Sequence, residues 1–409
     1  MRMVRALAQW PTLQVTVLIG LAGIGFSLGN ILLARALSTH SYAVVALALS
    51  LIHLGFPLAP LGLEKVLVRK ALPFSVLLVR SVLLIGIADG SVVAIGGWVV
   101  YGISPIILAL VLIAIVSGGM AYLSSAKFQS LERFPVSVLL AHGPNYFVLL
   151  AALVTIALDV DNIILPIAIM TVGHVMAGIW GCWKLLAGSK EKYKRINFHW
   201  ADALSLTGAG AALLVMMQLE RLVIPKVLEL EALATFGLLA AIALAPFRLL
   251  QMGVARTLLP RLGNAESIET RRKLVQKEAL IICGTLVATS VAVWVVTPFV
   301  VRWFLSGRYE FPPLLVLAVI VAGLVRVLNG FTSAIITALA TTRELVSWAV
   351  VSWILVFVTG AGAVIGAQWG LTGVIYGASL GWLVRFAAAF AILIPHLRPS
   401  ATVVATQLS

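Results

Sequence analysis

The sequence predicts an all-α integral membrane protein of twelve transmembrane helices, arranged as two six-helix halves. Three observations carry that prediction. Hydrophobic residues fill 61% of the 409 positions and charged residues only 11%, too little charge for a soluble chain of this length. The apolar residues come in continuous runs of about twenty, the length that spans a ~30 Å hydrocarbon core as a helix; barrel strands would alternate instead. The hydrophilic, cation-rich stretch Gly188–Ala201 falls near the midpoint of the chain, with as many apolar runs after it as before it. An even number of crossings returns the chain to its starting side, so this stretch and both termini should share one face. The expected organisation is an N-terminal six-helix lobe over 1–187, a basic cytoplasmic linker over 188–201 and a C-terminal six-helix lobe over 202–409. Consecutive halves of equal orientation are related by an axis along the membrane normal.

Each span has its own justification. The first, 12–36, follows Met1-Arg2-Met3-Val4-Arg5, a start like that of a signal peptide, but its apolar run is too long to be a cleaved one. It ends on Arg35. The second, 42–62, is rich in small residues and carries Pro57 and Pro60; the third, 76–101, holds Asp89 near its centre. The fourth is 105–126. The fifth, 135–158, bears a polar stripe of His142, Asn145 and Tyr146, and the sixth, 162–186, contains Pro166. Beyond the linker, span seven (203–226) has Gln218, Glu220 and Arg221 toward its outer end. Span eight (231–253) has Pro246, Arg248 and Gln251. Span nine is 278–302. Span ten (312–338) places Arg326 near its centre with Asn329 on the same helix face. Spans eleven and twelve are 345–366 and 371–395, the last carrying Arg385 one turn from Trp382. The prolines are read as bending points, tolerated because neighbouring helices satisfy the backbone.

Charge sets the orientation. With the N-terminus inside, the inner segments collect 21 of the 29 Lys and Arg, among them Lys65, Arg69, Lys70, Lys190, Lys192, Lys194, Arg195, Arg271, Arg272 and Lys273. Outer loops such as Asp159-Val-Asp161 hold almost none. The net charge of +14 is thus the positive-inside rule at work rather than a nucleic-acid signal. Cys182 and Cys283, the two cysteines, sit in apolar surroundings and form no disulfide framework or zinc motif.

The polar groups inside the spans carry the functional information, because an Arg or Asp at mid-membrane costs roughly 2.5–3.5 kcal/mol on insertion scales and must face protein or water. Arg326 and Asp89 are the deepest. Arg35, Arg221 and Arg248 lie nearer the span ends, within reach of snorkelling. His53, His142 and His174 are read as packing residues. Arg35, Arg221, Arg248, Arg326 and Asn329 form the candidate set for an anionic cargo, and Asp89 and Glu220 the candidate ion-coupling carboxylates.

The stretch Ile31-Leu-Leu-Ala-Arg-Ala-Leu-Ser-Thr-His-Ser-Tyr-Ala-Val-Val-Ala-Leu-Ala resembles the first hairpin of the polysaccharide-biosynthesis flippases, the Wzx-type branch of the MATE-like (MOP) exporter superfamily. Gln218-Leu-Glu-Arg-Leu-Val-Ile-Pro-Lys-Val-Leu-Glu-Leu-Glu-Ala-Leu-Ala echoes it in the second half. Phe128-Gln-Ser-Leu-Glu-Arg-Phe, Trp303-Phe-Leu-Ser-Gly-Arg-Tyr-Glu-Phe and Ala338-Leu-Ala-Thr-Thr-Arg-Glu-Leu follow in the expected order. Ala43 stands where these flippases usually have Gly. The resemblance implies a MATE-like pair of lobes around a central cavity. It implies a monomer, working beside polysaccharide polymerase machinery, that moves an undecaprenyl-pyrophosphate-linked oligosaccharide outward across the bacterial inner membrane for O-antigen, capsule or exopolysaccharide synthesis. Coupling to H+ or Na+ is also implied. Arg suits a pyrophosphate because it grips bidentately and keeps its charge. The alternative is a MATE-type multidrug or cation antiporter, which would favour acidic cavity residues. A major-facilitator carrier would show Gly-x-x-x-Asp-Arg-x-Gly where Leu63-Glu-Lys-Val-Leu-Val-Arg-Lys stands, and no Walker-type loop marks an ATPase. No cofactor, enzymatic constellation or nucleic-acid partner is expected.

Overall fold

The computed structural model describes residues 11–69, 72–188, 193, 200–251, 258, 262, 267–304 and 309–397. Among these, the predicted spans lie largely on helix. In chain order the helices are α1 (Pro11–Ala36), α2 (Thr39–Gly55), α3 (Leu63–Arg69), α4 (Val76–Tyr101), α5 (Pro105–Ser130), α6 (Phe134–His142) and α7 (Pro144–Leu158). There follow α8 (Ile164–Gly188), α9 (Trp200–Val227), α10 (Leu230–Leu239), α11 (Ile268–Phe304), α12 (Pro313–Leu339), α13 (Thr342–Gly366) and α14 (Gly370–Leu397). Among the described residues eight helical stretches are long and apolar enough to cross a membrane, or nine with the bent pair α6–α7; the 53-residue stretch Arg343–Pro395 among them covers nearly all of both α13 and α14. The chain is a multi-span membrane protein. Most of the linker expected at 188–201 lies outside the described residues.

Local chemistry explains where helices start. Ser38 and Ser75 cap α2 and α4 by accepting from Ser41 N and Leu78 N, and Pro105, Pro144 and Pro313 open α5, α7 and α12, where a missing N–H costs nothing. Thr341 and Glu344 form a reciprocal capping box on α13. Buried hydroxyls such as Ser50, Thr171, Thr297 and Thr359 bond the carbonyl four residues back, which keeps these hydroxyls paired in an apolar helix.

Three predicted spans differ in form. Span two was expected over 42–62, but α2 ends at Gly55: Phe56 keeps helical angles and its bond to Ile52 O, and Pro57, which has no N–H, cannot continue the ladder. Span five is broken, not straight: α6 and α7 meet at 46°, where Pro144 denies a helical bond, so the expected stripe of His142, Asn145 and Tyr146 straddles the break. In span eight, α10 passes through a π turn at Ala240–Leu244 and runs on to Gln251. That turn lies immediately before Pro246, whose ring would clash with a regular helix's carbonyl four residues back.

The chain forms two compact units, Met1–Ala241 and Ile242–Ser409. In the first, α5 is central and packs on α4, α6, α8 and the short α3. Leu63, Leu67, Phe74, Leu78, Leu123 and Phe128 belong to its sealed core. Here α9 and α10 pack on α1, α2 and α3, so two helices beyond the basic stretch belong to this unit by contact. Gly62, at φ +78°, lets the turn before α3 meet α9 closely: a Cβ there would collide with Ala203 O and Thr207 Oγ1. In the second unit, α14 packs on α12 and α13. The helix α11 shows most of its apolar surface, with Leu280 76% and Trp303 80% exposed, as a lipid-facing helix does.

Candidate functional sites

The densest buried polar cluster lies inside the second unit, between α12, α13 and α14. Arg385, midway along α14, is 2% exposed. Its guanidinium donates to Asn329 Oδ1 at 3.1 Å and to Ser333 Oγ and Ser352 Oγ at 3.4 Å each. It also lies 4.5 Å from the centre of the Trp348 ring and 6.0 Å from that of Trp382. Neutral oxygens and aromatic faces therefore hold this buried cation. Asn329 is spent on α14: its amide donates to Trp382 O at 2.6 Å as well as to Val325 O. Arg326, one turn before Asn329, stacks its guanidinium 5.5 Å from the Trp382 ring centre. Carboxylates are scarce: α12 and α14 contain none, and the Glu344 of α13 is engaged in its own helix's cap.

In the first unit the sequence echo between the two hairpins takes structural form. The helices α1 and α2 are joined by a two-residue turn, as are α9 and α10. The cap residues Ser38 and Glu229 share an extended conformation, with ψ of 155° and 153°. The turn closures Leu37 N to Leu33 O and Leu228 N to Ile224 O are both 2.9 Å. The offset that carries Ala36 onto Val227 carries His40 onto Glu231, and these two residues bond each other at 3.1 Å. It also carries Arg35 onto Lys226 and Asn30 onto Arg221. Arg35 and Arg221 therefore do not correspond under this offset: Arg35 is exposed in the last turn of α1, whereas Arg221 is 4% exposed, deeper in α9. Its neighbour Glu220 is 1% exposed. At the position equivalent to Arg221, Asn30 is buried and accepts from the Tyr42 hydroxyl. Lys226, the counterpart of Arg35, stacks over Tyr101, whose hydroxyl donates to Leu222 O at 2.7 Å.

Asp89 is half-buried at the middle of α4, and its Oδ2 is sealed from solvent without a hydrogen-bond partner. No Arg or Lys pairs with it among the described residues. Arg248 is half-buried in the second unit, on a segment that packs on α12 through Phe247 against Gly323 and Gln251 against Gly330. Of the sequence-derived candidates, then, the structure joins Arg326 and Asn329 in one cluster and places Glu220 next to Arg221. Asp89 stands apart from both. His53 and His174 are packing residues as expected, each bonding a carbonyl of its own helix and flanking Phe56. Beside them a crevice at the α6–α7 break is lined by Phe56, Tyr122, Asn145 and His174. Outside the spans, Glu64 of α3 is 6% exposed, and burial pushes its carboxyl above the ordinary range.

Sequence reasoning noticed Arg385 beside Trp382 but left it out of the candidate set, and it missed Trp348, Ser333 and Ser352. The available signal was a charge at the midpoint of the last span, three residues from a Trp, in a stretch with no acid to pair it.

The arrangement of helices defines the class: this is the all-helical fold of the MATE transporters and the lipid II flippase of the MOP superfamily. The likenesses lie in structure alone. Against the lipid II flippase MurJ in its inward closed conformation the TM-score is 0.63 at 14% identity, over 92% of this chain and 86% of that one. Against the MATE multidrug transporter DinF-BH it is 0.60 at 12% identity, over 96% and 95%. Against the Vibrio cholerae MATE transporter VcmN in the bent form it is 0.52 at 16% identity, over 95% and 98%. No protein-family description matches the sequence, and no curated protein matches it.

Proposed function

We propose that this chain is a carrier that flips an undecaprenyl-pyrophosphate-linked oligosaccharide across the bacterial inner membrane by alternating access, for O-antigen, capsule or exopolysaccharide synthesis. The observation that carries the reading is buried guanidinium charge, with no carboxylate inside α12–α14 beyond one capping residue. Arg221 and Arg326 are buried in mid-span helices, and α12–α14 offer no carboxylate beyond the capping Glu344. A carrier of organic cations needs the opposite balance. A pyrophosphate needs donors that are charged, planar and individually weak enough to let go. Arg35, Arg221, Arg248, Arg326 and Asn329 are the proposed cargo contacts. In this reading the carrier works as a monomer beside a polysaccharide polymerase, in two six-helix lobes that meet at the basic stretch 188–201, with both termini cytoplasmic. Cysteines introduced at Ser189 and Asn162 should then react with impermeant reagents from opposite sides of the membrane. Reaction of both from outside would remove the topology.

Asp89 is proposed as the coupling site, and a proton fits it better than Na+. A metal cation wants several oxygens at once, and no group of three or more acidic, imidazole or thiol side chains gathers around any point among the described residues. Glu220, packed beside Arg221, is the second candidate. The test is reconstitution in vesicles containing a polyprenyl-pyrophosphate oligosaccharide, read as the fraction reaching the outer leaflet. Flipping should occur, and an imposed pH gradient should change its rate. Asp89→Asn should flip with that response lost. A full pH response in Asp89→Asn would end the coupling role, and efflux of organic cations without any flipping would favour the multidrug reading. That second reading has Asp89 itself in its support, as a half-buried carboxylate at the middle of a span.

A further inference from the structure

The cluster around Arg385 holds more positive charge than the partners of that residue neutralise, and it holds orphaned donors. Every partner of the Arg385 guanidinium is a neutral oxygen or a ring. Its Nε–H meets no acceptor and no solvent, and the same is true of the indole N–H of Trp382, a residue that is 0% exposed. The two donors stand three residues apart on α14, hence on one face, with the guanidinium and ring 6.0 Å apart. Arg326 adds a second cation against the same ring at 5.5 Å. A buried N–H without an acceptor costs about 1–3 kcal/mol, more on a charged group, and a guanidinium at the middle of a span costs more still. One bound species would satisfy both donors and the charge: an acceptor that is itself negative.

We propose that the second unit binds a small inorganic anion of halide size, chloride under ordinary conditions, at Arg385 Nε–H and Trp382 Nε1–H between α12, α13 and α14. The closed surroundings set the size. Arg385 is 2% and Trp382 0% exposed, so an anion that reaches both of these N–H groups must be small. A water molecule would accept from one or two donors but would leave the charge unanswered. The bound anion partly neutralises the cluster and so holds α12 and α14 together.

The experiment is the thermal unfolding of the full chain in lipid nanodiscs, in sodium chloride, bromide, phosphate or gluconate at equal ionic strength. Chloride and bromide should raise the unfolding midpoint saturably over gluconate and phosphate, as a ligand of the folded state does. The increment should vanish in Arg385→Gln and shrink in Trp382→Phe, which keeps an aromatic ring and removes the N–H. Bromide should also give an anomalous scattering peak beside these two side chains. Equal midpoints in halide and gluconate would mean water only and would overturn the proposal. So would a halide increment that survives both substitutions, or a phosphate effect without a halide effect. If Arg385→Gln does not fold, Trp382→Phe and the bromide peak decide.

Discussion

Gly366→Leu should leave no folded, monodisperse protein. In the α13–α14 hairpin Gly366 lies against the backbone of Gly373, and Gly362 against that of Gly377, where a Cβ on Gly362 would come within 2.5 Å of the Gly377 carbonyl oxygen. Gly381 packs equally closely on Thr359. The Gly366 and Gly362 contacts are backbone to backbone, so no side chain can swing aside, and the helices must part along their whole length. In lipid, where close packing rather than water exclusion holds helices together, that separation forfeits most of what joins them. A loss above about 4 kcal/mol is expected. It would be read as aggregation on size-exclusion chromatography and loss of a cooperative melt. Gly284→Leu is the control: nothing lies within 4 Å of a Cβ at that exposed α11 position, so that variant should behave as wild type. A folded Gly366→Leu protein would mean that α13 and α14 do not pack as described.

Arg326→Ala should reduce flipping at least tenfold, which is about 1.4 kcal/mol of barrier, while the protein still reaches the membrane in normal amount. The substitution removes a buried cation that stacks on Trp382, and with it the charge that a pyrophosphate would meet in this unit. Arg326→Lys should restore flipping in part, because Lys keeps the charge but not the planar, multidentate donor set. The Lys variant also separates roles: a merely structural cation would be replaced at full rate. Wild-type flipping in Arg326→Ala would end its role as a cargo contact.

The sequence by itself determined that the chain is helical, that it spans a membrane, and roughly where each span lies. Val76–Tyr101 was legible to the residue, because continuous apolar runs bounded by Ser75 and Gly102 leave a helix as the only way to satisfy the backbone in lipid. It also determined that Arg326 and Asp89 would lie deep, since depth follows from position along a span. It did not determine how spans end or bend where proline acts on its neighbours. The truncation of α2 at Gly55, the break at Pro144 and the π turn before Pro246 each depend on local geometry that hydropathy does not register. Only the tertiary structure decided which polar groups meet. Asn329 and Arg385 are 56 residues apart in sequence yet 3.1 Å apart in space. Their meeting depends on the rotation of α12 against α14, a pair that the bond from the Asn329 amide to Trp382 O also ties together. The two-residue turns match Arg35 with Lys226 and Asn30 with Arg221, a register that residue types do not disclose. Hydrophobicity fixes how far a residue sits along its helix axis. The direction it faces is a matter of packing between helices, and that is set by contacts no single stretch of sequence contains.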